Sequence, residues 1–173
     1  IDLAAELLRK AGAAKADKKA SRVAAEGRVA IKSDDQAGRH VLLEVNSETD
    51  FVAKDDSFRA FVDQLADLVL AKRPASVEEL MRASIDGRSV EELRLELVTK
   101  VGENIAVRRF DVIESRGMVG AYLHGTRIGV LVELEGGSVE LARDLAMQVA
   151  ATSPRFVTPD DVPQEVIAKE REI

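Results

Sequence analysis

The sequence contains no cysteine and no tryptophan, and aromatic residues make up only 3% of its 173 positions. Without cysteine the chain has no disulfide framework, no thiolate zinc site and no cysteine nucleophile, which fits a reducing compartment. The few aromatics and a net charge of −6 argue against binding of single-stranded nucleic acid by base stacking. Apolar runs are only a few residues long, so we expect no membrane-spanning segment, and the first residues lack the pattern of a signal peptide.

The remaining composition is that of a folded domain, with 46% hydrophobic and 32% charged residues. This apolar fraction is sufficient for a core, and the length allows one domain or two small ones that share a core. Because the chain does not begin with methionine, we expect it to start inside a longer gene product. Residues 1–32 are basic, which favours either an acidic partner or, more simply, the solvated face of an alanine-rich helix.

Hydrophobic periodicity in the first half predicts a β-hairpin followed by a helix. Residues 28–32 and 41–46 alternate between apolar and polar side chains, and a polar turn joins them. Apolar residues from Phe58 to Val69 then follow at helical spacing, and the helix is predicted to end before Pro74.

The same pattern returns in the second half. Residues 117–123 and 128–135 predict two strands, with a turn at 124–127 between them. Residues 138–152 predict a helix that ends before Pro154. We therefore predict an α+β fold with two related ββα-containing subdomains, in which antiparallel sheets carry helices on one face, preceded by a short helical segment.

Other local signals complete the predicted order of elements. Capping-box patterns begin at Ser76 and Ser89, and Asp86-Gly87 is typical of a turn between the two helices that they start. The remaining predicted elements are a helix over residues 2–11, a strand over residues 107–113 and a helix that begins near Pro163.

The first unit has a longer connection between its second strand and its helix. Val41 to Pro74 spans 33 residues and the matching Val130 to Pro154 spans 24, so the first unit carries nine extra residues. Since the second unit folds without them, the insertion is the better candidate for function. Phe51 lies inside it among charged residues, either presented to a partner or folded back as the first anchor of the following helix.

An enzymatic alternative would use the acidic residues of this insertion as a magnesium site for hydrolysis. The carboxylates in question are those of Glu48, Asp50, Asp55 and Asp56. The rest of the sequence does not complete such a site, since its two histidines lie 84 residues apart and no Ser-His-Asp order or phosphate-binding Gly-Lys-Ser/Thr loop is present. We expect no enzyme, no catalytic residue, no cofactor and no metal, and we interpret His40 as structural.

Three segments resemble the translation elongation factor Ts family. The segment from Val41 to Lys54 is similar to the family's signature, and residues 100–105 and 124–131 continue the match. The resemblance implies a cytoplasmic guanine-nucleotide exchange factor for elongation factor Tu, the GTPase that delivers aminoacyl-tRNA to the ribosome. GDP would then be affected only through the partner, without direct contact with nucleic acid or membrane.

The resemblance also implies domain boundaries and site residues. Residues 1–26 would be the end of an N-terminal helical domain and its linker, residues 27–114 the first core subdomain, and residues 115–173 an incomplete second one. The Thr-Asp-Phe-Val element that dislodges the partner's magnesium ion would be Thr49, Asp50, Phe51 and Val52, with further partner contacts from Val101, Gly102 and His124. His124 is otherwise interpreted as a turn residue. An alternative function is that of a structural subunit in a Tu-containing assembly that does not promote exchange.

Overall fold

The computed structural model describes residues 18–172. Residues 18–20 are helical, and the elements that follow confirm the predicted α+β class. In chain order they are β1 Glu26–Asp34, β2 Arg39–Ser47, α1 Asp50–Ala53, α2 Asp56–Lys72, α3 Val77–Arg82, β3 Ser84–Ile85, β4 Arg88–Ser89, α4 Val90–Val101, β5 Ile105–Glu114, β6 Met118–His124, β7 Ile128–Leu134, α5 Val139–Thr152, a 3-10 helix Pro159–Asp161, and α6 Gln164–Arg171.

The first unit is a three-stranded antiparallel sheet, in the order β1-β2-β5, with helices on one face. Every second residue of the central strand β2 is fully buried, and Val41 and Leu43 share one hydrophobic core with Phe58 and Leu65 of α2. Each such side chain contributes about 1.5–3 kcal/mol when it leaves water. The apolar side chains of the alternating pattern in β2 therefore face the helices, as predicted.

The second unit is the two-stranded sheet β6-β7, which lies between α5 and the first sheet. A Cβ atom on Gly120 would lie 2.2 Å from the carbonyl carbon of Ala142, so α5 rests directly on β6. A Cβ atom on Gly129 would lie 2.5 Å from Val29 and 2.7 Å from Leu42, so β7 rests directly on the first sheet. The register places the two glycines on opposite faces of their sheet. This face-to-face contact of the two sheets was not predicted.

The internal repeat is visible in how the two long helices end. Arg73 and Ser153 follow α2 and α5 in the left-handed conformation, with φ of 51° and 46°. Their amides donate to the carbonyl oxygens of Val69 and Val149 at 2.9 and 2.8 Å, and a proline follows each one. The same stop, built from a strained non-glycine residue and a proline, supports the predicted duplication. The subdomain boundaries at residues 27, 114 and 115 stay a prediction.

Several local predictions are confirmed and some are corrected. The capping box of Ser89 and Glu92 has both of its hydrogen bonds. At Ser76 only half of the box forms, because the Glu79 carboxylate accepts instead from the amide of Ala75 at 2.7 Å.

The turns also differ in detail from the prediction. The Asp86-Gly87 turn, with φ of 51° and 80°, closes a small hairpin of β3 and β4 that periodicity over two residues cannot reveal. His124 pairs with Ile128 as the last residue of β6, so its placement in the turn was wrong; the strand is one residue longer because the turn needs only three residues. The predicted helix over residues 2–11 lies outside the described residues.

The close contact at Gly120 generates a stability prediction. We expect Gly120→Ala to lower the free energy of unfolding by about 1–3 kcal/mol, because the added methyl group meets helix backbone that cannot rotate away. The control is Gly136→Ala, where a Cβ atom has no neighbour within 4 Å and the expected change is within about 0.5 kcal/mol. Urea unfolding of both variants checks this, and equal midpoints would contradict the packing described.

Candidate functional site

The nine-residue insertion contains a short helix, α1. A side chain caps the start of α1, and another caps the start of α2, which follows it. Thr49 is the N-cap of α1, and its hydroxyl accepts from the amide of Val52 at 3.4 Å. Asp55 is the N-cap of α2, and its carboxylate accepts from the amides of Ser57 and Phe58 at 2.8 and 3.2 Å. A helix of four residues is too short to be stable alone, so α1 depends on the contacts that hold it.

The side chains of α1 divide into two groups. Phe51 is 81% exposed, whereas Val52 and Ala53 are buried and belong to the hydrophobic core. The expectation that Phe51 is presented outward is confirmed, and the alternative that it anchors the following helix is wrong, because Phe58 fills that place and is fully buried. The side chain of Val52, predicted as a partner contact, lies in the core and fixes the base of the helix.

The loop after α4 holds the start of α1. One carboxylate oxygen of Glu103 accepts from the Thr49 hydroxyl at 2.7 Å, and the other accepts from the Thr49 amide at 3.0 Å. Hydrogen bonds to an ionised group are shorter and about twice as strong as neutral ones. The loop therefore binds both the backbone amide and the side-chain hydroxyl of Thr49, the capping residue.

A second contact joins the same loop to the segment that precedes β1. The Asn104 amide donates to the Glu48 carboxylate at 2.6 Å, and Arg22 lies 3.6 Å from that carboxylate. The buried side chain of Asn104 donates to the carbonyl oxygens of Arg22 and Ala20 at 2.9 and 3.4 Å. Gly102 makes this possible because it ends α4 in the left-handed conformation, with φ of 80°.

The turn between β6 and β7 reaches the same side of the molecule. Arg127 forms an ion pair with Glu26, and the carbonyl oxygen of Thr126 accepts from the amide of Val29 at 2.8 Å. Arg127 is also close enough to lower the pKa of Asp50 by its charge. The two units thus contribute to one surface, although their sequences are far apart.

Asp50 carries a stabilised negative charge on this surface. The Lys54 ammonium donates to its carboxylate at 2.7 Å, and this hydrogen bond, followed by the charge of Lys54, lowers the pKa of Asp50. The side chain of Asp50 stays accessible beside Phe51. The surface therefore pairs one exposed aromatic ring with one exposed carboxylate.

The remaining predicted site residues lie outside α1, at the end of α4 and at the end of β6. Val101 is half-buried at the end of α4, and Gly102 is exposed beside it. His124 is exposed, with its Nδ1 atom 3.1 Å from the Tyr122 hydroxyl oxygen. His40 is buried, and its Nδ1 atom lies 2.9 Å from the hydroxyl oxygen of Ser33, away from this surface, as its structural interpretation requires.

Sequence reasoning missed the residues that hold this surface together. Glu103, Asn104 and Arg127 each follow a predicted site residue within the same motif, and that adjacency was the available signal. The pairing of Glu103 with Thr49 spans 54 positions, and no spacing rule reports it. Only the fold shows which carboxylate faces which donor.

The carboxylates considered for magnesium do not converge. Glu48 binds Asn104 and Arg22, Asp50 binds Lys54, and Asp55 caps α2. Across residues 18–172, acidic and histidine side chains form no group of three or more that could hold a metal ion. In the same described part of the chain, no helix is both long and apolar enough to cross a membrane.

The charge of Lys54 gives a second prediction. We expect Lys54→Met to raise the pKa of Asp50 towards its ordinary value, because the hydrogen bond and the nearest cation are lost while Arg127 remains. Since the folded pKa is the lower one, the pair stabilises the fold at neutral pH and that contribution is lost as the pH falls through it. A carboxyl NMR titration measures the change, with Lys72→Met at the far end of α2 as the control. An unchanged pKa in Lys54→Met would contradict this assignment.

Comparison with known proteins adds an independent finding. A family model described as "Elongation factor TS" matches residues 48–173. Curated proteins named "Elongation factor Ts" are similar over the whole chain, with 54% identity to that of Thioalkalivibrio sulfidiphilus and 54% to that of Alkalilimnicola ehrlichii. The protein from Xanthomonas oryzae pv. oryzae is 55% identical.

These relatives are longer than the chain. The chain is covered completely in each comparison and spans 60%, 60% and 59% of the three proteins, respectively. The matched region contains α1, the loop at residues 102–104 and the turn at residues 125–127. On the match over residues 48–173 and on these identities, the chain belongs to the elongation factor Ts family.

Proposed function

We propose that the chain carries the surface by which a guanine-nucleotide exchange factor binds elongation factor Tu and releases its GDP. The family membership and the resemblance of residues 41–54 to the family signature support the choice of partner. The factor makes and breaks no covalent bond; it acts through binding alone, in the cytoplasm where the partner GTPase works.

The observation that carries this proposal is the exposure of Phe51 on a fixed helix. Its ring is 81% exposed, while its neighbours Val52 and Ala53 are in the core. Burial of a phenylalanine side chain in a partner contributes about 1.5–3 kcal/mol. Because α1 is already ordered by Glu103, little conformational entropy is lost when the ring docks.

The proposed mechanism uses the geometric demands of the partner's magnesium ion. Magnesium requires nearly ideal octahedral coordination, so small displacements of its ligands weaken it. Phe51 enters between partner helices beside the nucleotide site, and the carboxylate of Asp50 disturbs the groups around the ion. The Lys54 hydrogen bond and charge lower the pKa of Asp50, so this carboxylate stays ionised to a lower pH than an isolated aspartate.

Exchange then follows from thermodynamic linkage. If the factor and GDP bind the same partner with negative coupling, each weakens the other by the same ratio. The exposed turn at residues 125–127, which carries Arg127 and directly follows His124, lies on the same side, and in this proposal it extends the docking surface. Val101 and Gly102 directly precede Glu103, the residue whose carboxylate accepts hydrogen bonds from Thr49 at the start of α1.

The proposal predicts a selective effect of Phe51→Ala. We expect the acceleration of GDP release to fall about 30-fold, corresponding to the loss of about 2 kcal/mol at a central interface aromatic. Stopped-flow release of a fluorescent GDP from elongation factor Tu measures it. The free energy of unfolding should change by less than about 0.5 kcal/mol, because the ring makes few contacts within the chain.

Two matched variants give this experiment its controls. Val157→Ala truncates another exposed apolar side chain, 96% exposed and distant in sequence from the site, and should leave GDP release unchanged. Phe58→Ala removes the buried ring and should cost about 3–5 kcal/mol of stability. If Phe51→Ala accelerates GDP release as much as the unmutated chain does, the proposed insertion of Phe51 between partner helices is wrong. A stable complex of the unmutated chain with no acceleration would instead support the structural-subunit alternative.

A further inference from the structure

We propose that Glu103 is a positioning residue, whose carboxylate sets the direction in which α1 presents Phe51. The consequence for nucleotide exchange rests on the function proposed above. Glu103 itself lies in the loop between α4 and β5 and is hydrogen-bonded to Thr49, the capping residue of α1. It therefore acts through Thr49.

The helix cannot set its own direction. α1 has four residues, and helices this short are not stable without tertiary contacts. The buried side chains of Val52 and Ala53 anchor only the C-terminal half of this helix, and the half that carries Phe51 has no side chain in the core. A second point of attachment is required, and it lies at the N-terminus of the helix.

Glu103 supplies this attachment with both of its oxygens. One accepts from the Thr49 hydroxyl at 2.7 Å and the other from the Thr49 amide at 3.0 Å. Two bonds to one residue restrain its orientation as well as its position. The Thr49 hydroxyl in turn accepts from the amide of Val52 at 3.4 Å, so the restraint passes into the first turn of the helix.

The loop that carries Glu103 is itself held in place. Gly102 closes α4 and its amide donates to the carbonyl oxygen of Val98 at 3.0 Å. The next residue after Glu103, Asn104, is buried and bonded to Glu48 and to the carbonyl oxygens of two residues before β1. Through this loop, the direction of α1 is fixed relative to α4 and to the start of β5, as well as relative to β2, which precedes α1 in the chain.

The experiment uses the absence of tryptophan from the sequence. Phe51→Trp places a single indole at the presented position, and its fluorescence anisotropy reports the motion of that side chain. Glu103→Gln is then added to this parent. Glutamine replaces one of the two acceptor oxygens by an NH2 group and removes the charge, so the arrangement in which each oxygen accepts one hydrogen bond from Thr49 is lost.

We expect Glu103→Gln to lower the anisotropy and to reduce the amide-exchange protection of Val52 and Ala53 about tenfold. At saturating concentration of the chain, stimulated GDP release from elongation factor Tu should also fall about tenfold, since a displacement near 1 Å at a reacting site can cost up to about 10²-fold. Glu103→Asp, which keeps both acceptors on a shorter side chain, should recover part of each effect. Glu96→Gln, which removes a carboxylate paired with Arg88 away from α1, should change none of them.

The outcomes separate this proposal from the proposed function. Anisotropy and protection equal to those of the parent would overturn the positioning role, and so would altered anisotropy with unchanged GDP release. If the Phe51→Trp parent and the unmutated chain both fail to release GDP, the proposed function is wrong, and anisotropy alone then decides whether Glu103 orients position 51. If Glu103→Gln does not fold, Thr49→Val, which removes the hydroxyl's bond to Glu103 together with its bond from the Val52 amide, is judged by the same measurements.

Discussion

Two hydrogen bonds, from the amide and the hydroxyl of Thr49 to the carboxylate of Glu103, connect the insertion that carries Phe51 to the loop between α4 and β5. Without them, we expect the aromatic residue of the insertion after β2 to sample more directions. With them, the N-terminus of the four-residue helix is held in addition to its buried C-terminal half, and an otherwise unfavourable arrangement, a phenylalanine ring in water, becomes ordered. An ordered, exposed ring is the form in which burial yields binding free energy, because the entropy of ordering has already been lost on folding.

The charges around the ring also come from both units of the chain. Lys54, directly after α1, and Arg127 from the second unit both lower the pKa of Asp50, the acidic side chain next to the ring. Arg127 also pairs with Glu26 at the start of β1. Contacts between the two sheets, at Gly129, bring that turn to α1. The second unit thus supplies charge to a surface whose aromatic group comes from the first.

Local sequence patterns contained most of the fold. Alternation in β2, the helical stripe of α2 and the two prolines were sufficient because each depends on residues within one element. The unequal lengths of the two units located the insertion that contains α1, but the sequence left open whether Phe51 points outward or anchors the next helix, and only the fold decides this. The packing of one sheet on the other was not predictable, because it depends on two glycines that sequence periodicity treats as neutral. The contact between Glu103 and Thr49 was not predictable either, because it joins residues 54 positions apart and no local pattern reports such a pair.

The unequal connections of the repeated units have a consequence for how such a protein could be altered. The two similar units each have a corner between their second strand and their long helix, and only one of these corners is elaborated, by the insertion that contains α1. The other corner, Gly136-Gly137, is exposed and joins a strand to a helix with the same left-handed stop as its counterpart. Grafting the elaborated segment there would transfer the ring but not the receiving carboxylate, so a functional transplant would have to carry both halves of the contact.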